Sequence, residues 1–283
     1  MNAETGESRP LEKRSCFVSG QRIPVAWLMR TLSARESSLD GKKKLRLQPL
    51  LAVEASMEIL QQRSTAWRQA RIGCATASNY WKIMTPPRAK ADKEAGRWSD
   101  TATTYMLEKL SELLTRVPSD TFGSQATRWG IEHEEAARER AIPLIAERFG
   151  QQVELPEGKN AFILHPTEPN IGCSPDGIIG TDGMLELKCP WNPVNHLRTV
   201  LSGQMPEQHI EQVQGSMWIK GATWYVFASY DPRVEKAGMD PLFLCKVERD
   251  SGYISRELAP RVLQFRDWLY NEYARLTGGK EPF

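Results

Sequence analysis

Asp176, Glu186 and Lys188 stand in the pattern Asp-x9-Glu-x-Lys, inside Ser174-Pro175-Asp176-Gly177 and Leu185-Glu186-Leu187-Lys188-Cys189-Pro190. Pro-Asp-Gly is turn composition, so Asp176 belongs at a turn. In a strand, Leu185, Leu187 and Cys189 share one face, and Glu186 and Lys188 share the other. Two carboxylates and one ammonium then meet at the edge of an apolar strand. Charges are costly to bury unless paired or bound to a metal. An oxygen-ligand metal site with a lysine beside it would use such an arrangement. A turn aspartate next to a structural Glu–Lys pair would use it too, and the short pattern alone does not separate the two.

The elements around this stretch narrow the choice. A helix expected over about 124–148 carries Gly130, Glu134, Ala137, Ala141 and Leu144 on one stripe. Glu134 is the one acid there, while Glu132, Glu135 and Glu139 fall away. Facing a core, it needs a partner: a metal shared with Asp176 and Glu186, or an ion pair. Strands are expected over 151–155, 161–164, 172–179, 184–189, 222–230 and 242–248. Helices are expected over 194–201, after Pro206, and over 260–277. In the second of these, Ile210, Val213 and Met217 form the apolar face, leaving Gln212 and Gln214 free to reach a polar cleft.

Upstream, residues 1–20 read as disordered, 24–35 as a short amphipathic helix and 41–46 as a basic loop, either solvated or touching a DNA backbone. Leu51, Ala55, Ile59 and Leu60 recur at helical spacing over 51–71. Gly73 ends that helix, and Thr76 or Ser78 caps the next, over 79–84. A helix start with a hydroxyl and Arg71 nearby is a ready phosphate site. Residues 88–97 read as a charged loop and 99–114 as a helix. Helices, strands, helices and strands in this order predict an α/β (α+β) fold with a mixed central sheet flanked by helices.

With 40% hydrophobic and 25% charged residues over 283 positions, the composition suits a globular protein with a sizeable core. No apolar run of about 18 residues exists, so no membrane span is expected, and residues 1–10 lack the apolar region of a secretory signal. Five scattered cysteines without a Cys-x-x-Cys pair argue against a zinc ribbon and for a reducing cytoplasm. Cys173 and Cys189 read as small buried hydrophobes. The net charge is only +2, yet residues 1–50 carry ten Lys/Arg against five Asp/Glu. A basic arm on a slightly acidic body fits a phosphate-binding arm or a solvated tail. We therefore divide the chain into a basic, partly disordered extension, 1–50, and a main domain, 51–283. His165, at a strand end, reads as an ordinary histidine or as one that approaches a metal shell, and Trp191 is a candidate to stack on a base.

Taken together, Arg71-Ile-Gly-Cys-Ala-Thr-Ala-Ser78, Trp129-Gly-Ile-Glu-His-Glu134, Ser174-Pro-Asp-Gly177, Leu185-Glu-Leu-Lys-Cys-Pro190, Glu211-Gln-Val-Gln-Gly-Ser-Met-Trp218 and Tyr230-Asp-Pro232 resemble the phage lambda exonuclease family. These are the YqaJ-like viral recombinases of the PD-(D/E)XK nuclease superfamily. The resemblance covers about residues 64–248 with order and spacing kept. It implies a restriction-endonuclease-like core and a deoxyribonuclease that digests duplex DNA ends 5′ to 3′, releasing 5′-mononucleotides for recombination by single-strand annealing. It implies Mg²⁺ or Mn²⁺, two ions per site, held by Asp176, Glu186, the Leu187 carbonyl and Glu134. Lys188 would activate the attacking water and Gln212 would help hold it. Arg71, Ser78 and Arg88 would bind the 5′-phosphate. It further implies a homotrimeric ring, a single-strand annealing protein as partner, and a bacterial cell with a phage or prophage origin. The basic extension and Ala91-Asp92-Lys93 depart from the family pattern. A structure-specific endonuclease of the same superfamily and a non-catalytic DNA-binding assembly protein are the rival expectations.

Overall fold

The computed structural model describes residues 15–18, 21–24, 60–119 and 123–280. The expected helix at 24–35 beyond Pro24, the basic loop at 41–46 and the 51–59 part of the helix expected at 51–71 lie outside the described residues. The chain divides into two units, Met1–Met57 and Glu58–Phe283.

In the first unit, β1 (Ser15–Val18) pairs antiparallel with β2 (Gln21–Pro24), Val18 opposite Gln21. The expected disorder of residues 1–20 is therefore corrected at 15–18. Cys16-Phe17-Val18 is strand-forming.

The second unit is built on a five-stranded sheet in the order β10-β9-β8-β7-β4. Its strands are β4 (Val153–Glu154), β7 (Gly177–Ile179), β8 (Gly183–Lys188), β9 (Trp224–Tyr230) and β10 (Leu242–Glu248). β8 runs parallel to β9, and the other neighbours are antiparallel. A smaller sheet joins β3 (Ala75–Thr76), β6 (Ile171–Cys173) and β5 (Ile163–Leu164). β9 is buried along its whole length, as expected of a strand covered on both faces.

Helices cover those two faces. On one, Ala137, Ala141 and Ile145 of α5 (Gln125–Phe149) pack on Ile179, Leu185, Leu187, Val226 and Ala228. On the other, Ile178, Met184 and Tyr225 meet Val213 and Met217 of α7 (Ile210–Lys220). Tyr80 and Ile83 of α2 (Tyr80–Met84), Tyr105 of α4 (Asp100–Thr115) and Phe265 of α8 (Ala259–Thr277) complete that cluster. The alternation read in 185–189 is thus realised: Leu185 and Leu187 face α5, and Met184 faces α7. Gly215 permits the close approach of α7 to α2, since a Cβ there would lie 2.5 Å from the Tyr80 ring. α6 (Pro193–Ser202) and α7 form the crossover between β8 and β9.

Five expectations change. The helix over 51–71 survives in the described part as α1 (Thr65–Ala70), which starts where the Ser64 hydroxyl accepts the Trp67 N–H at 3.1 Å. Neither Thr76 nor Ser78 caps α2: Thr76 lies in β3, with its hydroxyl taken by the Asn79 amide at 3.1 Å, and Ser78 sits in a 3-10 turn. The charged loop at 88–97 contains α3 (Lys90–Glu94), and an Arg97–Asp92 pair follows it. The strand over 172–179 breaks into β6 and β7, because Pro175 has no N–H for the ladder. The final helix also begins early: Asp250 accepts the Tyr253 N–H at 2.8 Å, and a π-helical stretch, Ile254–Leu258, leads into α8. Among the described residues, no helix is long and apolar enough to cross a membrane.

Candidate active site

The turn between β6 and β7 sets Asp176 against β8 by two bonds. The Asp176 N–H donates to the Leu185 carbonyl at 2.9 Å. Its Oδ2 accepts the Leu187 N–H at 2.7 Å. Glu186 and Lys188 emerge from β8 on the α7 side, where Lys188 Nζ donates to Glu186 Oε1 at 2.6 Å and to Gln212 Oε1 at 3.2 Å. Gln212 Nε2 donates to the same Glu186 oxygen at 2.5 Å. Glu186 is only 3% exposed, and its Oε2 is buried without a partner among the described residues.

Glu134 stands on α5, its side chain 15% exposed. Arg138, one turn on, donates to its Oε1 at 2.8 Å, and Arg63 pairs with its Oε2. Arg63 is in the left-handed region, φ 70°, a conformation that costs a non-glycine residue about 1–2 kcal/mol. Its neighbour Gln62 donates to the Pro175 carbonyl at 2.8 Å. The 61–64 turn is thus tied to both the Asp176 turn and Glu134.

Electrostatics couple these groups. Burial, then Glu186 and Glu134, hold the Asp176 carboxyl well above the usual carboxylate range. Burial alone would lower the Lys188 ammonium, but Glu186, Asp176 and Glu134 raise it, so it stays charged. Burial pushes the Cys173 and Cys189 thiols up to about 12, as fits inert hydrophobes.

Among the described residues, no three His, Cys, Asp or Glu side chains converge as a ready metal group. Arg63, Arg138 and Lys188 hold the carboxylates instead. The donors nonetheless suit a hard divalent cation. Glu186 and Glu134 raise the cost of ionising Asp176, and among the described residues one buried Glu186 oxygen has no partner, which is unfavourable until something positive or donating meets it.

Of the residues expected to bind phosphate, Ser78 is exposed and lines a cavity of about 720 Å³ together with Lys188 and Gln212. Arg71 faces a second cavity, about 260 Å³, with Arg68, Lys82 and Lys109. It reaches the site through Ser174, whose hydroxyl accepts Arg71 Nη1 at 3.0 Å, and its guanidinium lies 4.1 Å from the Trp67 ring. Arg88 is exposed beyond α2 and lines neither cavity. Gln214 turns away from the cleft: it pins the end of β10 through the Glu248 carbonyl at 2.9 Å and the Asp250 N–H at 2.8 Å. His165 packs against Trp218 and accepts the Glu168 N–H at 3.1 Å.

Arg63, Arg138 and His209 escaped the sequence reading. Arg138 was legible as the i+4 partner of Glu134. Arg63 lies 71 positions from Glu134 and carries no local signal. His209 is pushed down to about 3 by burial and by the Lys188 ammonium, so its ring beside the lysine is neutral.

The profile of the YqaJ-like viral recombinase domain matches residues 66–223. Among solved structures, the alkaline exonuclease of Laribacter hongkongensis is 31% identical, with a TM-score of 0.62 over 76% of this chain and 96% of that one. Its complex with dAMP matches at 32% identity and the same TM-score, over 75% and 96% of the two chains. A phage-related exonuclease from Haemophilus somnus shares the fold at 20% identity and a TM-score of 0.50, over 72% and 95%. No curated protein sequence matches. The domain match spans more than half of the chain and includes Asp176, Glu186, Lys188, Glu134 and Gln212, so this nuclease belongs to the YqaJ-like viral recombinase family, with the PD-(D/E)XK fold.

Proposed function

We propose that the protein is a Mg²⁺-dependent exonuclease that digests duplex DNA ends 5′ to 3′, releases 5′-mononucleotides and resects DNA for recombination by single-strand annealing. The observation that carries this reading is the convergence of Lys188 and Gln212 on Glu186 Oε1, with Asp176 fastened to the same strand through the Leu187 N–H, beside a cavity that Lys188 and Gln212 line and that is large enough for a nucleotide.

Asp176, Glu186, the Leu187 carbonyl and Glu134 would hold Mg²⁺ or Mn²⁺, two ions per site. A bound divalent cation lowers the pKa of a water and offsets charge on the phosphate. The chain's own groups do the rest. The Leu187 N–H fixes the rotamer of Asp176. Lys188, kept protonated by three carboxylates, donates to the attacking water and to the phosphoryl oxygens as negative charge develops. Gln212 holds Lys188 and Glu186 in register. Ser78 would receive the 5′-phosphate in the larger cavity, with Arg71 and Arg88 adding positive charge.

By the family resemblance we extend the proposal to a homotrimeric ring on DNA and to a single-strand annealing partner in a bacterial cytoplasm. Residues 1–50 would form an accessory basic arm, and 51–283 the catalytic domain. Timed digestion of 5′-phosphorylated and 5′-hydroxyl linear duplex, with Mg²⁺ or EDTA, tests the reading. Faster digestion of the phosphorylated end and none in EDTA is the expected result. Equal rates on both ends would remove the phosphate site, and digestion in EDTA would remove the metal.

A further inference from the structure

Two cavities flank Lys188. The larger, about 720 Å³, contains Ser78 and Gln212. The smaller, about 360 Å³, is lined by Lys188, Cys189, Trp191, Asn195 and Phe227. Gln208 and His209 line both and so form a partition. The smaller volume lies within the range of about 300–1,000 Å³ usual for small-ligand sites. A phosphodiester joins two nucleosides, so hydrolysis at Lys188 requires room for one on each side.

We propose that the smaller cavity seats the base of the second nucleotide from the 5′ end of the scissile strand, stacked on Trp191. The assignment rests on the 5′-to-3′ exonuclease reading, in which the first nucleotide leaves through the larger cavity and the scissile phosphate stays with the second. Trp191 is 46% exposed, yet it is firmly mounted. Arg233 Nη1 donates to the Trp191 carbonyl at 3.0 Å, and Nη2 donates to the Pro190 carbonyl at 3.1 Å. Fully buried Asp231 holds that guanidinium through Nε at 2.8 Å and Nη2 at 2.7 Å. Arg233 also lies 4.3 Å over the Trp129 ring, which packs edge-to-face with Trp191 at 5.5 Å between ring centroids. An aromatic platform fixed in advance binds with little ordering cost, and stacking accepts any base, as an enzyme that digests all sequences needs. Half-buried Asn195 makes no side-chain hydrogen bond among the described residues, so its amide is available to a base edge. The neutral His209 ring adds a polar atom without a charge.

Trp191 also continues the exposed apolar residues Val194, Leu197 and Leu201 of α6, a stripe that another chain could cover. The experiment separates the two roles. Wild-type protein, Trp191→Ala and Trp191→Phe are given 5′-phosphorylated duplexes that are intact, or abasic at the first or second nucleotide, and the mass of each assembly is measured. An abasic second nucleotide is expected to lower wild-type kcat/KM about tenfold, the scale of one base–aromatic stack. Trp191→Ala should lose about the same on intact DNA and nothing further at the abasic site, and Trp191→Phe should keep most of the activity. Equal abasic penalties in the wild type and Trp191→Ala overturn the assignment. So does a Trp191 dependence confined to the first nucleotide, or a loss that tracks a change in assembly mass. If the wild type digests no intact duplex, the exonuclease reading falls and this assignment falls with it; normal digestion with equal penalties removes this assignment alone.

Discussion

Asp176 Oδ2 accepts the Leu187 N–H at 2.7 Å, so the turn aspartate is fastened to the backbone between the other two members of the motif. Nine residues separate Asp176 from Glu186, and this one bond makes their spacing a rigid distance. It also holds a carboxylate whose ionisation is opposed by burial and by Glu186 and Glu134.

Asp176→Asn keeps the shape of the side chain and removes the charge. Without divalent ions, the variant is expected to be more stable than the wild type at pH 8, because the carboxylate whose ionisation burial, Glu186 and Glu134 oppose is gone. A gain of 1 kcal/mol would raise Tm by about 2–4 °C for a domain of this size. Activity should fall by about a thousandfold or more, and Mg²⁺ should no longer raise Tm. Thermal melts with and without Mg²⁺ check the first and third points; a wild-type Mg²⁺ response in the variant would contradict the assignment.

The raised Asp176 pKa fixes the sign of a pH effect. A carboxyl that binds its proton more tightly when folded contributes stability that is fully present below the unfolded pKa. That stability is lost as pH rises toward the folded pKa. The metal-free protein should therefore lose stability on going from the ordinary carboxylate range upward, and Mg²⁺ should stabilise it more at pH 8 than at pH 5. Melts across that range with and without Mg²⁺ measure both trends. A Mg²⁺ increment that shrinks with rising pH would contradict them.

Arg63 pairs with Glu134 and would compete with a cation held there. Its side chain is 38% exposed, so the pair itself contributes only about 0–1 kcal/mol. Arg63→Ala is expected to lower the Mg²⁺ concentration for half-maximal activity several-fold, with Tm changed by no more than about 4 °C. A Mg²⁺ titration of the digestion rate checks it, and a weaker Mg²⁺ requirement for the wild type than for the variant would contradict it.

Gly215 lies where α7 meets the Tyr80 ring, three residues after Gln212. Gly215→Ala forces the helices apart, which costs about 1–3 kcal/mol for an overpacked core. Because α7 carries Gln212, activity should fall more than stability does, even well below the melting temperature. Parallel melts and digestion rates at 20 °C read the two effects separately; full activity at that temperature would show that Gln212 is not positioned by this contact.

Much of this site was legible because its signals are local. Period-two alternation over 185–189 put Glu186 and Lys188 on one face, and the i, i+4, i+7 stripe put Glu134 on the inner side of α5. Both follow from backbone geometry that tertiary packing did not override. Arg63 was not legible, because its role depends on a left-handed turn and on a partner 71 positions away. The break at Pro175 was readable from the missing N–H, yet the apolar run around it hid it. The grouping of Arg71, Ser78 and Arg88 came from the family pattern, whereas the fold places Arg71 and Ser78 in different cavities.

The central claim is that Glu186 and its neighbours cut DNA only from ends, with a divalent cation. Incubating linear duplex and covalently closed circular duplex with Mg²⁺, using wild-type protein and Glu186→Gln, tests it most directly. The account predicts steady release of mononucleotides from the linear duplex, an intact circle, and a rate at least about a thousandfold lower for Glu186→Gln, as for loss of a group central to catalysis. Rapid cutting of the closed circle, or digestion by Glu186→Gln at the wild-type rate, would contradict it.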